Sequence, residues 1–183
     1  MRLLHAEGLA LVRGGRLLVE GLDLHLDGGD ALHVTGPNGS GKSSLIRLIA
    51  GLLKPAAGRI ERASAALADE GLALDRELPL GRALAFWNGP RLAEAMTAFA
   101  LHELAHVPVR LLSTGQAKRA RLARVMATGA PLWLLDEPLN GLDRKGVEEL
   151  DAAVTAHRAG GGAVLAASHL PLSGKWRSLG LGG

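Results

Sequence analysis

Hydrophobic and polar positions alternate along residues 17–28, and this pattern predicts a β-strand with one buried face. A period of two residues is typical of a strand that covers a core on one side only. Residues 3–12 form a less regular apolar stretch, which we expect to pair with that strand, and residues 28–29 are glycines that break the chain. The apolar positions that carry the alternation are Leu22, Leu24 and Leu26.

The pattern then changes from strand to helix across a glycine-rich loop. Residues 31–35, ALHVT, predict a short strand, and residues 36–41, GPNGSG, follow it directly. Residues 42–53 repeat apolar side chains at the spacing of one buried helical face, and Pro55 would end that helix. Strand, glycine loop and helix in this order predict an α/β fold.

Two short apolar runs in the second half predict buried parallel strands. Residues 132–135 and 163–167 each end abruptly in polar residues, which is typical of strands covered on both faces. Residues 145–158 predict a helix between them, ended by the glycines 160–162. Residues 64–111 are rich in alanine and interrupted by prolines, and they favour a small helical insertion rather than a second domain.

Composition narrows the classes of protein that the chain can belong to. Its 183 residues fit one domain, and 48% hydrophobic but only 3% aromatic residues predict an aliphatic core. The chain has no cysteine, which excludes disulfides and thiolate metal sites. Its net charge of +3 indicates scattered arginines rather than a nucleic-acid surface. No apolar run approaches the roughly 18 residues that a membrane span needs, so a membrane role would require a partner subunit.

The glycine-rich loop carries the spelling of a phosphate-binding loop. Residues 36–43, GPNGSGKS, fit G-x-x-x-x-G-K-[ST], in which backbone N–H groups surround phosphates at a helix N-terminus. Lys42 would add a point charge, and the Ser43 hydroxyl could bind Mg²⁺. A glycine turn before a helix is the alternative. The candidate phosphate-binding residues are Gly36, Pro37, Asn38, Gly39, Ser40, Gly41, Lys42, Ser43 and Ser44.

Two carboxylates follow the first of the buried runs, and they supply the chemistry that the loop lacks. Asp136 could hold Mg²⁺, and Glu137 could polarise a water molecule that attacks a phosphate. Such a pair at a strand end is more often a solvated edge. The phosphate-binding loop elsewhere in the chain favours the catalytic interpretation.

Residues 102–106, HELAH, match the H-E-x-x-H spelling of a zinc protease helix. Pro108 follows too closely for the helix to continue, and no third ligand is evidently placed for a catalytic zinc. We therefore interpret these residues as polar positions on a short helix and expect no zinc.

A third motif resembles the signature of the ATP-binding-cassette (ABC) ATPases. Residues 112–116, LSTGQ, precede AKRARLARVMA, and an ordinary capped helix is the alternative interpretation. Asn140–Asp143 is similar to the D-loop of that family, and Ser168–His169 to its switch histidine. The resemblance covers essentially the whole chain. It implies a P-loop NTPase fold of the ABC type with an N-terminal antiparallel β subdomain, a parallel core sheet and a small helical subdomain.

The resemblance also implies how the site works. Two copies would form a head-to-tail homodimer around two ATP molecules, each held by residues 36–44 of one chain and the signature of the other. Glu137 would orient or deprotonate water, His169 would contact the γ-phosphate, and Lys42 and Mg²⁺ would offset charge. The further nucleotide contacts implied are Ser113, Gly115, Gln116 and Asp143, and the implied metal ligands are Ser43 and Asp136.

Two positions depart from the family pattern. The family usually has a glutamine where this chain reads Ala68–Gly71, so Glu70, or failing that Asp69, would take its place at the metal. The family also stacks adenine on an aromatic residue of the N-terminal sheet. This chain has no tyrosine, and the position falls near Arg13, whose guanidinium plane could stack on the base.

Within the superfamily, the chain resembles the haem exporter ATPases of the cytochrome c maturation system. Three segments carry this resemblance: HVPVRLLSTGQAKR, DEPLNGLDRKGVEEL and VLAASHLPL. It implies an integral membrane permease partner and a peripheral position on the cytoplasmic face of the bacterial inner membrane. The permease would dock around Asp69–Trp87, where Phe86 and Trp87 are either exposed anchors or core filling.

The resemblance implies a domain plan and leaves two other functions open. Residues 1–183 would form one nucleotide-binding domain, with residues 64–128 as the inserted helical subdomain and residues 129–183 returning to the core sheet. Another small ABC exporter or importer is the nearer alternative. A soluble ABC ATPase acting on nucleic acid is the remote one, since the chain lacks a second cassette and basic extensions.

Overall fold

The strands of this protein form two sheets, with helices packed around the second. The computed structural model describes residues 1–71, 73–87 and 89–182. The strands are β1 (Arg2–Arg13), β2 (Arg16–Asp27), β3 (Ala31–Thr35), β4 (Ala57–Arg62), β5 (Ala65–Ala68), β6 (Leu132–Asp136), β7 (Ala163–Ala167) and β8 (Arg177–Gly180). The helices are α1 (Lys42–Ile49), α2 (Leu80–Ala85), α3 (Leu92–Ala98), α4 (Thr114–Ala127) and α5 (Arg144–Ala159).

The first sheet is antiparallel, with β1 between β2 and β4. The strand predicted over residues 17–28 is confirmed as β2, and its predicted partner as β1. Leu24 and Leu26 are buried while Asp23 and His25 are exposed, as the alternation requires. One face of this sheet therefore covers the core.

The second sheet is parallel, in the order β5-β6-β7-β3-β8. Every residue of β6 and β7 is buried, which confirms the two predicted central strands. Alternate side chains of these strands enter two separate cores. One core contains α1 and the antiparallel sheet, and the other contains α4, α5 and Phe99. The carboxyl ends of β6, β7 and β3 meet at one edge, and the loops that follow them bring the sequence motifs together.

Two of the predicted element boundaries are wrong. The first helix ends at Ile49 rather than residue 53, because Gly51 turns the chain with a φ of 81° and leaves Leu52 62% exposed. Residues 65–68 lie in a strand rather than a helix, since β5 pairs with β6 at the sheet edge. Alanine favours helices, but this preference is weak and sheet pairing overrides it here.

Helices begin only at residue 80 in the predicted helical insertion. Besides α2, α3 and α4, this part contains single 3₁₀ turns at His102–Leu104 and Val109–Leu111. No helix in the described ranges is long and apolar enough to cross a membrane.

Candidate functional site

The loop between β3 and α1 folds around the ammonium group of Lys42. Lys42 is 7% exposed, and its Nζ donates to the carbonyls of Gly36 at 2.8 Å and Pro37 at 3.1 Å. Gly41 ends the loop with a φ of 102°, a conformation that favours glycine. The first backbone N–H groups of α1 follow this turn directly, and Gly41 has no side chain to cap them, so they are available to an anion.

A cavity of about 430 Å³ lies against this loop. It gathers residues from five separate parts of the sequence, and four of these parts belong to the motifs that the sequence predicted. The predicted nucleotide, metal and catalytic residues that line it are Asn38, Gly39, Gly41, Lys42, Ser43, Ser44, Glu70, Glu137 and His169. Its other two lining residues are Asn140, the first residue of the predicted D-loop, and Leu18, which no motif predicted.

Ser43 and Asp136 place two oxygen atoms side by side at the end of β6. The Ser43 hydroxyl donates to Asp136 Oδ1 at 3.0 Å. Burial raises the pKa of Asp136, and the hydrogen bond from Ser43 partly opposes that rise. A hydroxyl and a carboxylate are the hard oxygen donors that Mg²⁺ takes together with phosphate oxygens, so the pair fits that ion.

Glu137 has an uncommon backbone conformation for a residue with a side chain. Its φ is 46°, in the left-handed region. Its N–H continues the β6–β7 pairing by donating to the Ala167 carbonyl at 2.8 Å. The carboxylate accepts from the His169 N–H at 3.4 Å, so the structure fixes Glu137 at both its backbone and its side chain.

The His169 ring lies between the acidic and basic groups of the cavity. Its Nε2 is 3.2 Å from Lys42 Nζ and 3.4 Å from Glu137 Oε1. The predicted base, cation and switch histidine therefore form one contiguous polar cluster.

The Ser113–Gln116 segment begins α4 with a capping box. Ser113 Oγ accepts from the Gln116 N–H at 3.2 Å, and Gln116 Oε1 accepts from the Ser113 N–H at 2.9 Å. Ser113 is exposed, and among the described residues none of 113–116 lines the 430 Å³ cavity. Asp143 caps α5 in the same manner, accepting from the Gly146 N–H at 2.8 Å.

Comparison with known proteins decides the family. Residues 19–140 match the family model described as ABC transporter. The "Cytochrome c biogenesis ATP-binding export protein CcmA" of Sphingopyxis alaskensis is 57% identical over 178 residues, which cover 93% of this chain and 92% of that protein. The protein of the same name from Novosphingobium aromaticivorans is 56% identical, covering 92% of this chain and 89% of its own. The chain belongs to the CcmA family of ABC transporter ATPases.

Solved structures agree on the fold. A chain titled "Structure of ATP binding subunit of ABC transporter" has a TM-score of 0.85 at 23% identity, covering 98% of this chain and 85% of that one. A putative ABC transporter ATP-binding protein from Pyrococcus furiosus has a TM-score of 0.84 at 19% identity, covering 97% and 96%. The α/β ABC ATPase fold predicted from the sequence is confirmed.

The two departures from the family pattern lie at different places in this CcmA-family chain. Glu70 lines the cavity, whereas Asp69 is within 3.4 Å of Arg47 and its carbonyl accepts from Arg121 at 2.6 Å. Arg13 lies at the exposed end of β1. On the neighbouring strand, Leu18 is the side chain that lines the cavity. The roles predicted for Glu70 and Arg13 stay predictions.

Three basic residues of α4 contact this region, and none of them belongs to a motif that predicted a role in the site. Lys118 Nζ donates to the Glu137 carbonyl at 2.6 Å, Arg121 to that of Asp69, and Arg124 to that of Leu67 at 2.5 Å. Burial lowers the pKa of Lys118 to about 8. Their spacing of three along the helix was the available signal, since it predicts one common face.

The HELAH segment does not form the helix that its spelling would require. Residues 102–104 are a single 3₁₀ turn, and the chain turns again before His106. His102 Nε2 lies 2.9 Å from Thr97 Oγ1. In the described part of the chain, no three His, Asp or Glu residues are grouped so that they could hold a metal ion.

Proposed function

We propose that this chain is the ATP-binding and ATP-hydrolysing subunit of an ABC transporter complex, and that it powers the haem export or haem-chaperone step of c-type cytochrome biogenesis. The convergence of Lys42, Glu137 and His169 on one cavity carries the ATPase part of this proposal. The names of the CcmA relatives, with their high identity over nearly the whole chain, support the cytochrome c part.

The residues divide the work of phosphoryl transfer. Glu137 orients the attacking water and accepts its proton, which for a positioned base is typically worth 10²–10⁴-fold. Lys42 and the N-terminus of α1 offset the charge on the phosphates, and His169 contacts the transferred group. A bound Mg²⁺, held by Ser43 and Asp136 with Glu70 nearby, would neutralise phosphate charge.

Each site would be completed by a second copy of the chain. Ser113 is exposed, and the segment it begins lies outside the lining of the cavity that contains Lys42. The exposed Ser113 and the N-terminus of α4 that it caps are suited to bind a phosphate from outside the protomer. We therefore propose a head-to-tail homodimer with two ATP molecules, in which Gly115, Gln116 and Asp143 also face the partner's nucleotide.

The membrane-permease partner would contact the helical part of the chain. Phe86 is 80% exposed and packs edge-to-face on Trp87. Trp87 Nε1 donates to the Ala73 carbonyl at 3.1 Å, and the guanidinium carbon of Arg124 lies over the Trp87 ring, 4.8 Å from its centroid. An exposed aromatic ring that packs on a hydrogen-bonded neighbour is a suitable anchor for a partner. This docking would hold the ATPase at the cytoplasmic face of the inner membrane.

Glu137→Gln tests the catalytic assignment. The amide keeps the shape of the side chain but cannot accept the proton of water, so we expect ATP turnover to fall at least 10²-fold while binding of ATP in the presence of Mg²⁺ is retained. Glu148→Gln, at an exposed position of α5, is the matched control and should keep wild-type turnover. Normal turnover by Glu137→Gln would show that another group is the base.

Phe86→Glu tests the docking surface. A charge at this exposed ring should abolish co-purification with the membrane subunit after co-expression, because the apolar anchor is lost. ATP binding by the isolated chain should not change, since Phe86 is not among the residues that line the cavity. Undiminished co-purification would place the permease elsewhere.

A further inference from the structure

A buried lysine outside the proposed catalytic set contacts the backbone of the proposed base. Lys118 is only 6% exposed, and its Nζ lies 2.6 Å from the Glu137 carbonyl oxygen. It belongs to the second turn of α4, five residues after the Ser113 cap. Burying an ammonium group is costly unless it is hydrogen-bonded. Among the described residues, the Glu137 carbonyl is the one hydrogen-bond acceptor of the Lys118 side chain.

The carbonyl that Lys118 contacts belongs to a backbone that needs support. The positive φ of Glu137 is unfavourable for a residue with a Cβ, and such conformations persist only where the surroundings hold them. Pro138 follows, and a proline disfavours the right-handed helical conformation for the residue before it. Because proline has no backbone N–H, the Glu137–Pro138 peptide can only accept hydrogen bonds. The only other hydrogen bond to this carbonyl in the described residues is the weak turn hydrogen bond from the Asn140 N–H at 3.3 Å.

The contact is part of a row along one face of α4. Lys118, Arg121 and Arg124 each donate to a backbone carbonyl, and the three acceptors lie at Glu137, Asp69 and Leu67. Lys118 and Arg121 also line a second cavity, of about 230 Å³, together with Glu70, Asp136 and Glu137. Through these three hydrogen bonds, α4 holds the backbone just before Glu70 and the peptide that follows Glu137. None of the three basic residues lines the 430 Å³ cavity.

We propose that Lys118 is a positioning residue for ATP hydrolysis: its ammonium group holds the Glu137–Pro138 peptide so that the carboxylate points at the attacking water. Lys118 is not among the residues that line the 430 Å³ cavity, and it acts through Glu137. The inference rests on the proposal that Glu137 is the base. Misplacing a catalytic group by about 1 Å can cost up to 10²-fold in rate.

Lys118→Met removes the donor while keeping a side chain of similar length. We expect kcat to fall 10- to 100-fold, while the Kd for ATP with Mg²⁺ stays within about two-fold of wild type, because the phosphate-binding loop is untouched. Lys118→Arg, which keeps charged donors, should recover most of the rate. Lys175→Met is the matched control at an exposed lysine and should behave as wild type. A purely structural role would instead weaken ATP binding or lower kcat and solubility together in both Lys118 variants.

A double-mutant cycle distinguishes the positioning role of Lys118 from the catalytic role of Glu137. If Lys118 acts through Glu137, Lys118→Met should lower the single-turnover rate in the wild type but cause no further loss in Glu137→Gln. Additive losses, or wild-type kcat in Lys118→Met, would overturn the positioning role even where Glu137→Gln is inactive. Normal turnover by Glu137→Gln alone would overturn the base assignment instead. Should Lys118→Met not fold, Lys118→Gln, which removes the charge and has a side chain one bond shorter than that of lysine, enters the same cycle with the same outcomes.

Discussion

At the scale of single residues, burial shifts the pKa values of titratable groups both inside and outside the proposed site. Burial raises the pKa of Asp136 and lowers that of Lys118, so both charged forms oppose folding near neutral pH. Their retention beside the cavity is consistent with function rather than stability. His157 is a different case: it is 8% exposed and stacks on Trp133 at a centroid distance of 4.0 Å, away from the cavity.

The burial of His157 predicts a loss of stability in mild acid. Burial lowers its pKa in the folded chain, whereas the unfolded chain takes up a proton near the ordinary value of 6.5. Below that pH the unfolded state binds more protons, so the free energy of unfolding should fall as the pH decreases from 6.5 toward the folded-state pKa. Urea unfolding at a series of pH values from about 7.5 to about 5, which spans the ordinary histidine value, measures this directly.

Two variants separate His157 from the other histidines. His157→Gln should be less stable than wild type at pH 7.5 but lose less further stability on acidification. His25→Gln, at an exposed position of β2, should keep the wild-type pH slope. If His157→Gln and the wild type have equal slopes, the acid sensitivity arises elsewhere.

At the scale of elements, sequence patterns predicted the strands whose own burial is regular. The half-buried β2 and the wholly buried β6 and β7 follow their hydrophobic patterns closely. The edge strands β4 and β8 are mostly exposed and carry no such pattern. Their neighbours β1 and β3 impose the pairing. Local periodicity cannot report a partner that is distant in sequence, so these strands were not predictable.

The β1–β4 pairing depends on a close backbone approach at Gly58. Gly58 has a φ of 83°, and a Cβ there would overlap the carbonyl oxygens of Glu7 and Gly8. Gly58→Ala should therefore lower the free energy of unfolding by about 2–4 kcal/mol, from backbone strain and displaced main chain together. Gly21→Ala is the matched control: its φ is 60°, but open space surrounds it, so it should cost only about 1 kcal/mol. Equal losses in urea unfolding would mean that the close approach has no energetic weight.

At the scale of the whole molecule, the site was largely predictable because its motifs follow adjacent parallel strands. The loops after β3, β6 and β7 carry Lys42, Glu137 and His169, and the strand order β6-β7-β3 makes them neighbours. Leu18 and Lys118 reach the region from β2 and α4. Their contribution depends on how those elements pack, which no motif encodes. The proposed two-copy arrangement belongs to this same scale, since Ser113 is exposed and none of residues 113–116 lines the 430 Å³ cavity.

The most direct test of that arrangement is the mass of Glu137→Gln in solution, measured by light scattering with and without ATP and Mg²⁺. Without hydrolysis the closed assembly should persist, so we expect twice the 19.0 kDa chain mass with nucleotide and 19.0 kDa without it. Ser113→Glu added to the same variant should bind ATP but stay at the single-chain mass, because its charge would repel the partner's phosphates. A Glu137→Gln chain that is saturated with ATP yet stays at 19.0 kDa would contradict the account.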